Sequence, residues 1–292
     1  MKPYKRRFGD RYDGRRVRTI SPFFKLVPYI MRTRADAQNF FDERIDIGPA
    51  EAYLHSKKDA NLRNFGLLAI SMAALVRTFS QKPGMNRFVA GHRIYARNEI
   101  SISLAIKREM QVDSPDTTIK LVCDPADTIF DVTQRLSKLL EQNKAVSSVN
   151  GTDKTARFFS ICPGFLVDWA VRLLMFLDDI GKMPKAINRV SPFHASVFIT
   201  DLGSIGIQPI YHHIYNFGTV SVFVAFGTKR REKYIDSDGV SRERGYLDFK
   251  IVTDERIADG FYYASAFKLF KSLMLHPERL EVPPEHVPED LD

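Results

Sequence analysis

The chain has 292 residues, 44% of them hydrophobic and 27% charged, which suits one large folded domain or two small ones. Its two cysteines, Cys123 and Cys162, are too few and too far apart for a disulfide framework or a cysteine-rich metal site, so we expect a cytoplasmic protein without a metal. The formal net charge is +8, but no recognisable nucleic-acid-binding module accompanies it, and no apolar stretch is long enough to span a bilayer. We therefore expect neither nucleic acid nor a membrane as a partner.

The charge is distributed unevenly along the chain. Eight basic residues lie between Lys2 and Arg18, whereas residues 282–292 are acidic and rich in proline. These compositions predict a basic N-terminal arm over residues 1–20, a single domain over residues 21–281 and a tail over residues 282–292. We expect the arm to be mobile and the tail to be frayed.

Hydrophobic periodicity predicts helices over residues 62–79, 127–146, 165–180 and 261–275. The third of these is apolar on most sides, so it and the lone Trp169 are predicted to lie in the core. Alternating or β-branched segments predict strands at residues 87–96 (a hairpin), 100–106, 117–123, 194–200, 219–226 and 245–254. Because the strands cluster late and in hairpins, the fold class is α/β (α+β), with a mixed, mostly antiparallel sheet.

The segment that carries the most chemical information is 254–260, which reads Asp-Glu-Arg-Ile-Ala-Asp-Gly between a predicted strand and a predicted helix. It resembles the His-x-x-x-Asp-Gly signature of the chloramphenicol acetyltransferases. The 2-oxoacid dehydrogenase acyltransferases carry the same signature as Asp-His-Arg-Val-x-Asp-Gly. Residues 198–203 resemble the Thr-Ile-Ser-Asn-Leu-Gly strand end of that superfamily, and residues 220–227 resemble its Ala-x-Leu-Gly-Val-Gly strand. The likeness extends over residues 32–280.

The resemblance implies a chloramphenicol-acetyltransferase-like two-layer sandwich, with helices covering the sheet, that assembles as a homotrimer with its sites between subunits. It also implies acyl transfer from coenzyme A, in which a histidine is the general base and a Ser or Thr hydroxyl stabilises the oxyanion. By position, Thr200 is the oxyanion donor. Asp259 is the structural carboxylate that braces the site, with Arg32 or Arg34 as its partner.

The chain departs from the superfamily at the catalytic histidine, whose place is taken by Glu255. A solvated glutamate is ionised and is a weak base near neutral pH, whereas histidine titrates there. His212 and His213, in the loop after the strand of Thr200, are alternative bases. Their other interpretation is as surface or packing residues, and His194 is interpreted as structural.

A basic cluster, Lys229, Arg230 and Arg231, could contact the phosphates of coenzyme A, or could be the solvated end of a hairpin. Together these features predict a coenzyme A-dependent acyltransferase that moves an acyl group between coenzyme A and an unidentified small-molecule acceptor. The alternative is a catalytically inactive homologue that acts as a trimeric ligand-binding or scaffold protein. Glu255 leaves open whether the protein is an enzyme.

Overall fold

The computed structural model of the protein describes residues 5–58, 62–107, 116–145 and 162–290. Within these ranges it has ten strands: β1 (Gly14–Arg16), β2 (Gln38–Asp46), β3 (Arg87–Ala90), β4 (Arg93–Arg97), β5 (Ile100–Lys107), β6 (Asp116–Cys123), β7 (Val197–Asp201), β8 (Val222–Phe226), β9 (Arg230–Ile235) and β10 (Ser241–Asp254). The same ranges contain seven α-helices: α1 (Pro22–Ile30), α2 (Gly48–Ser56), α3 (Leu67–Gln81), α4 (Ile129–Ala145), α5 (Gly164–Asp179), α6 (Lys185–Val190) and α7 (Gly260–Leu275).

A seven-stranded sheet forms the centre of the fold, with strand order β2-β10-β8-β7-β5-β6 and β9 paired to the first half of β10. All of its pairs are antiparallel except β7 with β5 and β7 with β8. The predicted α/β fold with a mixed, mostly antiparallel sheet is therefore confirmed. The helix predicted over residues 127–146 is α4, and the hairpin predicted over residues 87–96 is β3 and β4, which form a smaller sheet with β1.

The main hydrophobic core lies between one face of the large sheet and helices α3, α4 and α7. Strand β10 contributes alternate side chains to it, such as Phe249 and Ile251, because successive residues of a strand point to opposite faces. Ile70, Phe79 and Phe270 from the helices are almost completely buried against them. This packing fixes the end of β10 and the start of α7, which carry the motif at residues 254–260.

The opposite face of the large sheet carries a second, smaller apolar cluster. Phe198 of β7, Phe223 of β8 and Val252 of β10 belong to it, and Ile214 from the loop after β7 is buried on top of them. This loop brings His212 and His213 to the sheet face that the core helices leave uncovered.

Residues 5–20 and 282–290 are held more firmly than their composition predicted. In the N-terminal arm, Gly14–Arg16 pairs with β4, and the Arg11 side chain is buried. In the tail, the carboxylate of Asp290 accepts a hydrogen bond from Nε of Arg87 (2.7 Å), and Gln81 donates to the carbonyl of His286. The expected fraying is therefore wrong for residues 282–290, because an arginine at the start of β3 provides a partner for the acidic tail.

Helix α5 is not in the core, contrary to the prediction. Of its side chains only Asp178 is buried, and Trp169 is 63% exposed. The helix is apolar as the pattern indicated, but its apolar side chains are exposed, since no other element of the described chain covers them. In the described residues no helix is both long enough and apolar enough to cross a membrane.

Candidate active site

The segment 254–260 forms the turn from β10 to α7, as its position between a strand and a helix predicted. Asp254 ends β10 and is completely buried, whereas Asp259 is exposed. Glu255 is half-buried, and its backbone N–H donates to the carbonyl of Ala37 (2.8 Å). The ion pairs of this turn join Asp254 to Arg34 and Arg256. None of the ion pairs in the described ranges involves Glu255. Its carboxylate is therefore held on a fixed backbone and has no ion-pair partner among the described residues.

Two buried arginines surround Asp254. Arg256 binds it through two hydrogen bonds, from Nε to Oδ1 (2.8 Å) and from Nη2 to Oδ2 (2.7 Å), and Nε of Arg34 lies 3.8 Å from Oδ2. Burial lowers the pKa of Arg34 to about 10, an effect that the charge of Asp254 opposes. The Tyr263 hydroxyl donates to the Asp254 carbonyl (2.7 Å), which ties α7 to the same residue. This network clamps the backbone on both sides of Glu255.

The expectation that Asp259 pairs with Arg32 or Arg34 is wrong. Asp259 is the N-cap of α7, and its carboxylate accepts a hydrogen bond from the backbone N–H of Tyr262 (2.7 Å). The first N–H groups of a helix have no partner within the helix, so a carboxylate at this position satisfies one of them. The arginine-paired carboxylate of the motif is its first residue, Asp254.

Thr200 lies near the end of β7, in the middle of the sheet, and is 8% exposed. Its neighbours in the two adjacent strands are Ala105 and Ala225, which both have small side chains. Alternation along β7 places Thr200 on the same face as Phe198, the face that carries the smaller apolar cluster. The hydroxyl predicted to stabilise an oxyanion therefore lies on the sheet face that the core helices do not cover.

Glu255 and Thr200 lie at opposite ends of the sheet within one subunit. Thr200 is level with Ala225 of β8, which is level with Lys250 of β10. Glu255 follows Lys250 by five residues, so the two candidate catalytic residues are separated by about 16 Å along the strand direction alone. A single subunit does not bring them together.

His212 lies on the same sheet face as Thr200. Its ring stacks on Phe223 (centroids 4.6 Å apart), which in turn stacks on Phe198 (4.8 Å). Phe198 is two residues before Thr200, about 7 Å along the strand. Burial lowers the pKa of His212, so its imidazole is neutral at pH 7, and its Nε2 is buried without a hydrogen-bond partner in the described part of the chain.

His213 points away from this cluster. It is exposed, and its ring meets the edge of Tyr215 at 4.7 Å. Of the two adjacent histidines, His212 is therefore the one that lies close to Thr200. The sequence indicated the two histidines but not which of them faces the sheet. The loop has no regular periodicity that would distinguish inward from outward positions.

The basic cluster at the start of β9 is paired with acidic residues. Nζ of Lys229 lies 2.6 Å from Glu51, Arg230 lies 3.4 Å from Asp248, and Arg231 lies 3.3 Å from Glu243. These pairs reduce the positive charge available to a phosphate group. A role for the cluster in binding coenzyme A stays a prediction.

A groove of about 710 Å³ lies beside Lys229, at the ends of β7 and β8. Its walls are apolar and include Leu136, Leu140 and Phe226, and Asp201 lies at its polar side. Burial raises the pKa of Asp201, the residue after Thr200. The groove lies at the same end of β7 as Thr200 but on the core-helix face of the sheet, opposite the face that carries Thr200.

The structure also contains a buried polar network that the sequence did not reveal. His194 is completely buried between Oγ of Ser191 (2.7 Å) and the carboxylate of Asp178 (3.3 Å), which in turn binds Arg11 (2.6 Å). Burial opposes ionisation of Asp178, but its hydrogen bond to His194 and the charge of Arg11 hold its pKa at about 2. Because His194 has no access to solvent, it stabilises the fold. In the described ranges no group of three His, Cys, Asp or Glu residues could hold a metal.

Three solved structures show the fold to which this geometry corresponds. A probable dihydrolipoamide acetyltransferase from Listeria monocytogenes superposes with a TM-score of 0.58, is 15% identical, and is matched over 96% of this chain and 99% of its own. Azotobacter vinelandii dihydrolipoamide acetyltransferase has a TM-score of 0.52 at 15% identity, with 83% of each chain covered. A chloramphenicol acetyltransferase has a TM-score of 0.54 at 10% identity over 89% of this chain and 99% of its own.

The chain therefore has the fold of the chloramphenicol acetyltransferases and the dihydrolipoamide acyltransferase catalytic domains, as the resemblance predicted. No protein-family model and no curated protein sequence matches it.

Proposed function

We propose that the protein is an acyltransferase that moves an acyl group between coenzyme A and a small acceptor, in the cytoplasm. The acceptor's thiol or hydroxyl loses its proton to a base and attacks the thioester carbonyl. The tetrahedral oxyanion then expels the thiolate of coenzyme A, which takes up the proton. The observation that carries the proposal is the position of Thr200, a hydroxyl flanked by two alanines on the sheet face opposite the core helices.

The chain offers two bases for this reaction. His212 is neutral at pH 7 and lies near Thr200 in the same subunit. Glu255 occupies the turn between β10 and α7 and has no internal ion-pair partner in the described ranges. In the Azotobacter vinelandii enzyme, a serine, a histidine and an asparagine four residues after that histidine have been studied for their roles in catalysis. Glu255 and Asp259 have the same spacing.

A homotrimer would combine the two halves of this site. Thr200 and Glu255 lie too far apart within one subunit, so we place Thr200 and His212 of one subunit opposite Glu255 of the next. Heterologous contacts of this kind close into a ring when the rotation between subunits is one third of a turn. The groove beside Asp201 has the volume and the apolar walls of a small-molecule site, and from the opposite face of the sheet it would receive the part of the acyl-coenzyme A that lies away from the thioester.

The test measures release of the coenzyme A thiol from a series of acyl-coenzyme A donors whose acyl chains increase in length. Each donor is assayed with thiol, hydroxyl and amine acceptors. We expect turnover in the native protein and a loss of about 10²-fold in kcat for Thr200→Ala, the usual loss for one oxyanion donor. Thr200→Ser retains the hydroxyl and is the matched control, which should keep most of the activity. Thermal-shift measurements with coenzyme A check binding separately. The proposal is overturned if the protein shows neither coenzyme A binding nor turnover with an acyl chain of any length.

A further inference from the structure

An exposed apolar surface lies on the side of the molecule formed by α1 and α5. Its largest side chains are each 57% to 72% exposed, and they are Phe23, Leu26 and Ile30 of α1 and Phe165, Trp169 and Phe176 of α5. We call this surface the α1–α5 face. Large apolar side chains that are exposed in such numbers on two helices indicate a site of interaction.

The two helices of this face end at the same place in the fold. At the end of α1, the ring of Tyr29 stacks on His92 (4.9 Å). At the end of α5, the carboxylate of Asp179 accepts a hydrogen bond from the backbone N–H of Gly91 (3.0 Å). The last turns of both helices therefore meet at the Gly91–His92 turn between β3 and β4.

Positive charge lies beside α1. Residues 5–34 contain ten Lys or Arg and two Asp, of which Arg11 and Arg34 are buried in ion pairs with Asp178 and Asp254. Lys25 and Arg32, on and just after α1, and Arg93 on β4 are exposed and take part in no ion pair found in the described ranges. Lys25 and Arg93 line a groove with Leu26 and Tyr29, so cations and apolar side chains are interleaved.

We propose that the α1–α5 face docks on the surface of an anionic lipid bilayer. Aromatic and aliphatic side chains with lysines and arginines beside them are the composition of helices that lie in the bilayer interface. The apolar side chains would enter the boundary between headgroups and acyl chains, and the cations would contact lipid phosphates. The sequence-based expectation of no membrane partner considered only spanning segments, which surface docking does not require.

This proposal is independent of the proposed acyl transfer, because the face shares no residue with Thr200, His212 or Glu255. A second copy of the chain is the other occupant that could cover apolar side chains. The exposed cations Lys25, Arg32 and Arg93 beside this face favour lipid, since identical basic surfaces repel one another.

Trp169 provides a direct test because it is the only tryptophan of the chain and lies on the face. We would measure its emission and co-sedimentation with vesicles of phosphatidylcholine alone and of phosphatidylcholine with phosphatidylglycerol. We expect a blue shift and binding with the anionic vesicles, weakened by high salt because salt screens exposed charges. Phe165→Glu with Phe176→Glu should lower the partition coefficient by about tenfold or more, through loss of buried apolar area.

Ile235→Glu is the matched control, since Ile235 is 74% exposed on β9 and lies outside the face. It should bind vesicles as the native protein does. Circular dichroism would show that all variants are folded. The proposal is overturned if anionic vesicles neither bind the protein nor shift its emission, or if they bind the double variant equally well. It is also overturned if emission shifts with protein concentration in the absence of lipid, which would assign the face to a second copy.

Discussion

At the scale of single residues, the two aspartates of the DERIADG motif have separate roles. Asp254 is completely buried between Arg256 and Arg34, whereas Asp259 caps a helix in contact with solvent. Removing one member of a buried ion pair leaves the remaining charge without compensation, whereas removing a cap leaves one N–H group for water to satisfy. The stability of the motif therefore depends on its first residue.

We predict that Asp254→Ala lowers the free energy of unfolding by about 3–5 kcal/mol. Asp259→Ala should lower it by only about 1 kcal/mol. Urea unfolding followed by circular dichroism measures both. Equal losses for the two variants would show that Asp254 is not the residue that braces the turn.

The buried His194 makes stability depend on pH. Burial lowers the pKa of His194 below its ordinary value of 6.5, although the neighbouring Asp178 opposes this shift. As the pH falls through 6.5 the unfolded chain binds a proton that the folded chain resists, so stability decreases. Asp178, with its pKa held at about 2, contributes stability above its ordinary value of 3.8 and loses it as the pH falls from there towards 2.

We therefore expect the urea concentration at the midpoint of unfolding to decrease as the pH is lowered from 7.5 to 5. In His194→Gln, which cannot titrate, this part of the pH dependence should be reduced, whatever the variant's absolute stability. An unchanged pH dependence in His194→Gln would contradict this role.

At the scale of elements, the sequence predicted the type and order of most helices and strands. Alternation identified β5 and β10, and the amphipathic pattern identified α4, because burial on one face determines these periods. Helix α5 shows the limit of this reasoning. Its apolar residues were interpreted as core, but periodicity reports only that a surface avoids water and not what covers it.

The C-terminal tail shows a second limit, since composition alone predicted fraying. Its order depends on Arg87, whose Nη1 donates to the carbonyl of Ile257 (3.3 Å) while Nε binds Asp290. This arginine connects the tail to the turn that carries Glu255. A contact between residues that are 203 positions apart leaves no local pattern in the sequence.

We predict that Asp290→Asn lowers the free energy of unfolding by about 3 kcal/mol, because the Arg87–Asp290 pair is almost completely buried. Glu289→Gln is the matched control, since Glu289 is 64% exposed and lies 3.8 Å from Arg15. The free energy of unfolding of Glu289→Gln should stay within about 1 kcal/mol of the native value. Similar midpoints for the two variants would mean that Asp290 does not anchor the tail.

At the scale of the whole molecule, the motifs predicted the fold but not the arrangement of the site. The segments at residues 198–203 and 254–260 correctly indicated the architecture, because each lies at a strand end that the fold requires. Whether Thr200 and Glu255 meet depends on strand register and on assembly. The register separates them within one subunit, whereas stacking on Phe223 holds His212 on the sheet face that carries Thr200.

The central proposal is an acyl-transfer site that combines Thr200 of one subunit with Glu255 of the next, with Glu255 rather than His212 as the base. Its most direct test is the turnover of Thr200→Ala and Glu255→Gln, assayed separately and after unfolding and refolding together in equal amounts. Each variant alone should have little activity. The mixture should recover about a quarter of native turnover, since one interface in four then combines an intact Thr200 with an intact Glu255. The control is native protein that has been refolded in the same way and is active. If the mixture is then no more active than the better single variant, the account is contradicted.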